Sequence, residues 1–208
     1  MNLDDLPGTL ELYDQAIALY ERLVHQEGRT ELADNLAITY MNKANAVSAL
    51  GDERGAVALY DQAIAFYERL VHQEGRTELT NNLAITYKNK ANGVCALGDK
   101  RGAIALYDQA IALYERLVHQ EGRTELAEVL ATIYQNKANA VCGLGEYRNA
   151  MALYDKTIAI LDQLSQQNYR AGLARDLAMT YQNKANAVCA FGEHRNAVAW
   201  FDKAIAIY

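Results

Sequence analysis

The chain has 208 residues, 51% of them hydrophobic and only one a proline, so it is long enough and apolar enough to bury a core. Lysine and arginine number 20 against 26 acidic residues, a net charge of −6. That balance argues against nucleic acid or an anionic membrane as the main partner, because both require a basic face.

Residues 1–8 read as a leader ending at Pro7-Gly8, with Thr9 placed to cap the helix that follows. The leader is acidic and lacks the basic and apolar regions of a signal peptide. A helix is predicted over 9–26, where Leu12, Tyr13, Ala16, Leu19, Tyr20 and Leu23 recur on one apolar face, and Gly28 stops it. The next helix runs from Thr30 to about Leu50, with Leu32, Leu36, Tyr40, Val47 and Leu50 as its apolar stripe. Gly51-Asp52 makes a tight connection to a partner helix over 53–73, whose inner face carries Ala56, Tyr60, Ala63, Tyr67 and Leu70. Gly75 closes that helix and the pattern restarts at Thr77.

The restart is a repeat. Asn42-Lys43-Ala44-Asn45 returns at Asn89-Lys90-Ala91-Asn92, Asn136-Lys137-Ala138-Asn139 and Asn183-Lys184-Ala185-Asn186, each step 47 residues. A fixed period of this size is the mark of a stacked repeat architecture. Short loops make sequential helices neighbours, so each unit is an antiparallel helix hairpin. The expected fold is all-α: an α-solenoid of about nine helices in a single array over 9–208, divided as a half unit 9–27 and units 30–74, 77–121, 124–168 and 171–208. The last unit has drifted, with Tyr169 where Gly122 stands one period earlier and Ala171-Gly172 in place of Thr124-Glu125. The final helix stops at Tyr208 without a polar cap. Solenoids need polar ends, so its open ends are expected to be covered by further repeats or another chain, and the terminal helices offer a route to self-association.

Tyr40, Ala44, Gly51-Asp52, Ala56, Tyr60 and Ala63 resemble the tetratricopeptide repeat, and the match recurs in all four units. Two features depart from that family: the period exceeds the usual ~34 residues, and Glu68 stands at the proline position that closes the second helix. Lys43 also replaces a leucine. The resemblance implies a right-handed superhelix whose concave groove is lined by the first helices and binds a partner peptide or helix.

On a helical wheel, Ile38, Met41, Asn42, Asn45, Ser48 and Ala49 share one face opposite the apolar stripe, the face that lines the groove in the family. Counterparts at 47-residue steps give the expected peptide-binding set: Asn42 and Asn45; Lys88, Asn89 and Asn92; Gln135, Asn136 and Asn139; Gln182, Asn183 and Asn186. Asparagine supplies both donors and an acceptor, so two such rows can hold an extended backbone, or can bond to each other between repeats. Lys88 alone fits the lysine position of a carboxylate-gripping groove, which disfavours a strong carboxylate clamp.

Other rows read as structure. Lys43, Lys90, Lys137 and Lys184 fall on the buried side of the wheel and are expected to pair with Asp14, Asp61, Asp108 and Asp155. His25, His72 and His119 lie a helix spacing apart, too far to share a metal whose ligand atoms sit ~2 Å away. The arginine rows beside the turns, Arg54 and Arg29 with their counterparts, read as solvated salt-bridged edges. Cys95, Cys142 and Cys189 occupy one repeat position, too far apart for disulfides, and read as free thiols of a reducing compartment, hence a cytoplasmic protein.

No nucleotide loop, carboxylate pair or nucleophile with its base is present, and every candidate group is copied once per repeat, whereas a catalytic centre is a unique place. The expectation is therefore no enzyme, no cofactor and no metal. It is a cytoplasmic protein–protein interaction scaffold whose partner is a protein or peptide, with no nucleic acid and no membrane. The alternatives are a sensor or regulatory arm of a larger signalling ATPase or protease, and an RNA-binding repeat.

Overall fold

The computed structural model describes residues 6–167 and 171–207. Expectations placed on Met1 to Asp5, on Tyr169 and on Tyr208 lie outside them. Among the described residues there are nine α-helices and no strand: α1 (Leu6–Glu21), α2 (Ala33–Ala49), α3 (Glu53–Glu68), α4 (Thr80–Ala96), α5 (Lys100–Glu115), α6 (Ala127–Cys142), α7 (Tyr147–Gln167), α8 (Ala171–Ala190) and α9 (His194–Ile205). The chain is all-α and built of antiparallel hairpins, as the periodicity predicts. Two compact units divide it, the first running to Gly102 and the second starting at Ala103.

In the first unit α2 packs against both α1 and α3, and α4 packs on α3. In the second, α6 pairs with α7, α7 with α8 and α8 with α9. Alanine occupies the closest contacts. Ala44, Ala56 and Ala63 are fully buried in the first unit, as are Ala138, Ala150 and Ala185 in the second. Small side chains let helix backbones approach, and the gaps beside them are filled by Tyr60 and Tyr67, or Tyr114 and Tyr154, all buried. Burying each large apolar side chain stabilises the fold by about 1.5–3 kcal/mol.

The turn inside each hairpin is a helix C-cap. Gly51 adopts φ +86°, a left-handed conformation that costs other residues a clash at Cβ. The Asp52 N–H then reaches back to the Val47 carbonyl at 3.2 Å, the long bond of a Schellman motif. Asp52 next caps α3, its carboxylate accepting from the Gly55 N–H at 2.9 Å.

Between hairpins the helices do not simply run on. Each of α1, α3 and α5 ends in a wide π-turn, Arg22–Gln26, Arg69–Gln73 and Arg116–Gln120. A glycine connection follows, then a 3-10 turn, Thr30–Leu32, Thr77–Leu79 and Thr124–Leu126, that opens the next first helix. These turns hold much of the chain's extra length. Where Leu-Val-His-Gln becomes Leu164-Ser165-Gln166-Gln167, the π-turn is absent and α7 stays regular to Gln167.

Three sequence expectations need correction. The first helix starts at Leu6, not at Thr9, because a proline in the first turn lacks only an N–H that would have been unpaired anyway. Leu50 does not belong to the buried stripe. It is 49% exposed, since the helix ends at Ala49 and the glycine turn carries Leu50 outward. Leu12 and Leu19 are also exposed, because α1 has a packed neighbour, α2, on one side.

The lysine row pairs as its placement suggests. Lys43 bonds Asp14, Lys90 bonds Asp61, Lys137 bonds Asp108 and Lys184 bonds Asp155, each first helix tied to the second helix before it. A parallel row of phenols does the same: Tyr40 donates to Glu21, Tyr87 to Glu68 and Tyr134 to Glu115. Arg29, Arg76 and Arg123 pair with Glu31, Glu78 and Glu125 at the opposite edge. Among the described residues no helix is long and apolar enough to cross a membrane.

Candidate binding face

The two asparagine rows lie at different depths on the first helices. Asn45, Asn92, Asn139 and Asn186 are exposed, while Asn42, Asn89, Asn136 and Asn183 are half-buried one turn before them. The spacing of three residues turns the rows by about 300°, so they share a face without coinciding.

In the first unit the exposed row is anchored from below. Asn45 Oδ1 accepts from the Tyr60 hydroxyl at 2.6 Å and from Asn89 Nδ2 at 2.9 Å. Both lone pairs of the amide oxygen are thereby used, and its Nδ2 is left on the exposed side. The Asn89 contact is the bond between neighbouring first helices that the sequence held as an alternative to ligand contact. In the second unit Asn139 Oδ1 accepts from the Tyr154 hydroxyl at 2.6 Å. Asn186 differs, because Phe201 stands where Tyr60 and Tyr154 stand and brings no hydroxyl. The tyrosines were legible as packing residues, but their role in orienting asparagine was not, since it depends on a contact 15 residues away.

The row beside the asparagines faces the neighbouring first helix as much as solvent. Met41 is buried, with the Thr86 hydroxyl of α4 3.2 Å from its sulfur. Gln135 Oε1 meets the Thr180 hydroxyl of α8 at 2.9 Å. Lys88 is half-buried, and that burial holds its ammonium below the ordinary lysine value. Gln182 is exposed. Two apolar features border the face. Ile38 and Met179 are exposed on the helices themselves, and Leu50 and Leu97 in the first unit, like Leu144 and Phe191 in the second, are exposed at the first-helix ends. The sequence did not reveal the second, because period alone assigns such residues to a core.

Cys95, Cys142 and Cys189 are free and half-buried at the far end of the same face. Cys189 alone has an imidazole beside it, with His194 Nδ1 3.3 Å from its sulfur. Among the described residues no group of three or more metal-ligating side chains comes together.

A family model, described as tetratricopeptide repeat, matches residues 36–73 and 177–208, which are the α2–α3 and α8–α9 hairpins. A solved structure from Podosopora anserina, described as a kinesin light chain with nearly identical TPR-like repeats, aligns over 97% of this chain and 86% of its own at TM-score 0.70 and 17% identity. MamA aligns over 96% of this chain and 85% of its own at TM-score 0.63 and 19% identity. The chain has a TPR-like repeat fold. BtubC from P. vanneervenii shares the fold more loosely, at TM-score 0.53 and 19% identity over 97% of this chain and 90% of its own. No curated protein matches the chain. At these identities the likeness is one of fold. The binding face of this TPR-like protein rests on its own residues.

Proposed function

We propose that the chain is an interaction scaffold that binds a partner polypeptide along the exposed face of its first helices. The observation that carries this reading is the orientation of Asn45. Tyr60 and Asn89 occupy its carbonyl, so its amide donors are presented outward before any ligand arrives. Asn139 repeats the tyrosine half of the arrangement, its Oδ1 held by Tyr154. Donors fixed in advance cost little ordering on binding, and backbone carbonyls of a bound segment are their natural acceptors. Asn92 in the first unit and Asn186 in the second are exposed at the same repeat position. Asn42, Asn89, Asn136 and Asn183 form its half-buried base, with Lys88, Gln135 and Gln182 at its margin. Exposed Ile38, Leu50 and Leu97 beside the first unit's amides supply apolar contacts for alternate side chains of the partner.

The reading includes no catalytic step, cofactor or nucleic-acid partner, in keeping with the net charge of −6. The three free thiols fit a reducing, cytoplasmic setting.

The test replaces the exposed row alone: Asn45→Ala, Asn92→Ala, Asn139→Ala and Asn186→Ala in one chain, with helicity followed by circular dichroism. Partner capture from the source cell's lysate should fall away while helicity is retained. Capture that survives in the folded variant would place the binding site elsewhere.

A further inference from the structure

The second unit carries one groove twice, on the side of its first helices away from the asparagines. Lys184 and Val188 of α8 floor one copy, of about 510 Å³, between α7 and α9. Lys137 and Val141 of α6 floor the other, of about 320 Å³, between α7 and the stretch of α5 around Ile104. Ile104, Glu146, Asn149, Leu153 and Lys156 of one stand 47 residues before Met151, Glu193, Asn196, Trp200 and Lys203 of the other. Lys184 and Asn186 are two residues apart, about 200° around α8, which sets the groove opposite the asparagine face. The copy at α6 keeps Asn149 and Lys156 exposed with α8 and α9 in place beyond it, so openness belongs to the groove and not to its place in the chain.

Two positions of this groove change together along the chain. Gly55 and Gly102 give way to Asn149 and Asn196, and Gln62 and Gln109 give way to Lys156 and Lys203. Seven residues apart, the two positions share one face of the second helix. Asn149 Nδ2 donates to Glu146 at 3.0 Å and Asn196 Nδ2 to Glu193 at 2.8 Å. Each bond fixes the amide and leaves its oxygen as an acceptor for a peptide N–H. The two lysines meet rings, not carboxylates. Lys156 Nζ lies 4.8 Å from the Tyr134 ring centroid, and Lys203 Nζ lies 4.2 Å from that of Trp200. Lys137 and Lys184, by contrast, are already held by Asp108 and Asp155. Arg148, 5.2 Å from the Phe191 ring centroid, adds a cation on the α7 wall. Between the charges the lining is apolar, with Ile104, Val141 and Leu153 in one copy and Met151, Val188 and Trp200 in the other.

We propose that these grooves bind an extended acidic segment of a partner protein, one in which carboxylates alternate with apolar side chains. The carboxylates pair with Lys156 and Lys203, and the apolar side chains settle on Leu153 and Trp200. Charge complementarity selects this occupant, since the lysines offer positive charge that no carboxylate of the described residues takes up. A nucleic acid has no aliphatic side chains for the apolar lining and would bring its phosphates against Glu146 and Glu193. The site is separate from the asparagine face and does not depend on it.

The experiment uses the whole chain and a short acetylated peptide of alternating aspartate and leucine. Trp200 is the chain's single tryptophan, so its emission reports from the groove itself. Anisotropy of the rhodamine-labelled peptide should show saturable binding, and the unlabelled peptide should shift Trp200 emission over the same concentration range. Lys156→Glu with Lys203→Glu should weaken binding about tenfold or more, because like charges then face each other. Lys156→Gln with Lys203→Gln restores the residues of the earlier copies and should weaken it less, with helicity retained in the circular dichroism spectrum. A peptide of alternating lysine and leucine should not bind. The chain with Asn45, Asn92, Asn139 and Asn186 replaced by alanine should bind the acidic peptide undiminished. Absence of saturable binding overturns the proposal, as does affinity indifferent to the two lysines or equal for the lysine peptide. Binding lost in the asparagine variant would assign the peptide to the first-helix face, and tighter binding of a single-stranded oligonucleotide would assign the groove to nucleic acid; either result also overturns it.

Discussion

The Tyr60 hydroxyl donates to Asn45 Oδ1 across the first complete hairpin at 2.6 Å, joining a packing residue of α3 to a surface residue of α2. The bond does two things. It satisfies a phenol whose ring is buried, and it fixes which end of the Asn45 amide faces outward. Tyr60→Phe should therefore lower stability by about 1 kcal/mol, the usual worth of such a bond. It should also weaken partner binding, though less than Asn45→Ala does. Urea denaturation and a binding titration on the same variants measure both effects.

The buried phenols divide into two classes that should respond oppositely to loss of the hydroxyl. Tyr40 donates to the Glu21 carboxylate, so Tyr40→Phe should cost about 1.5–3 kcal/mol, the range for bonds to charged groups. Tyr114 has a buried hydroxyl with no partner in hydrogen-bonding geometry. Tyr114→Phe should be neutral or slightly stabilising, because it removes an uncompensated desolvation cost. Thermal melts of the two single variants decide the matter.

The Lys184–Asp155 pair is asymmetric. The lysine side chain is 7% exposed and the aspartate 57%, and Lys184 Nζ stands 3.6 Å from the Trp200 ring centroid. Lys184→Met loses a cation–π contact and a half-exposed ion pair and should cost about 1 kcal/mol. Asp155→Asn strands a buried ammonium and should cost more, about 3 kcal/mol. Lys90→Met, at a more open pair, should be the mildest of the three. Denaturant midpoints give the order.

Alkaline pH should unfold the chain through its tyrosines. Burial pushes Tyr60, Tyr67 and Tyr114 up to about 12, from the ordinary value of 10. Between those values the unfolded chain has released protons that the folded chain retains. Stability from these groups is thus fully present below pH 10 and is lost as pH rises through 12. Tyrosinate absorbance and far-ultraviolet circular dichroism, followed together, should show ionisation of these residues and loss of helix in one step.

Gly93 is the one glycine in a row otherwise filled by Ala46, Ala140 and Ala187. Gly93→Ala should be stabilising by up to about 1 kcal/mol through helix propensity, provided Val57 yields a few tenths of an ångström. Gly93→Leu should force α4 off α3 and lower the melting temperature sharply. A pair of melting curves tests both.

The 47-residue period, the alanine and glycine placements and the Lys–Asp rows were all legible in the chain as written, because each follows from local spacing. A helix has a fixed rise and turn, so spacing alone states which residues share a face. The π-turns at Arg22–Gln26 and its copies were not legible, since the sequence there reads as continued helix. The asparagine face was half legible. The sequence by itself determined that Asn45 and Asn139 point away from the core. Only the tertiary structure decided which of their atoms are taken, because Tyr60 and Tyr154 reach them from another helix. It alone also showed Leu50 outside the core, since burial belongs to a residue's neighbours and a period describes only the residue.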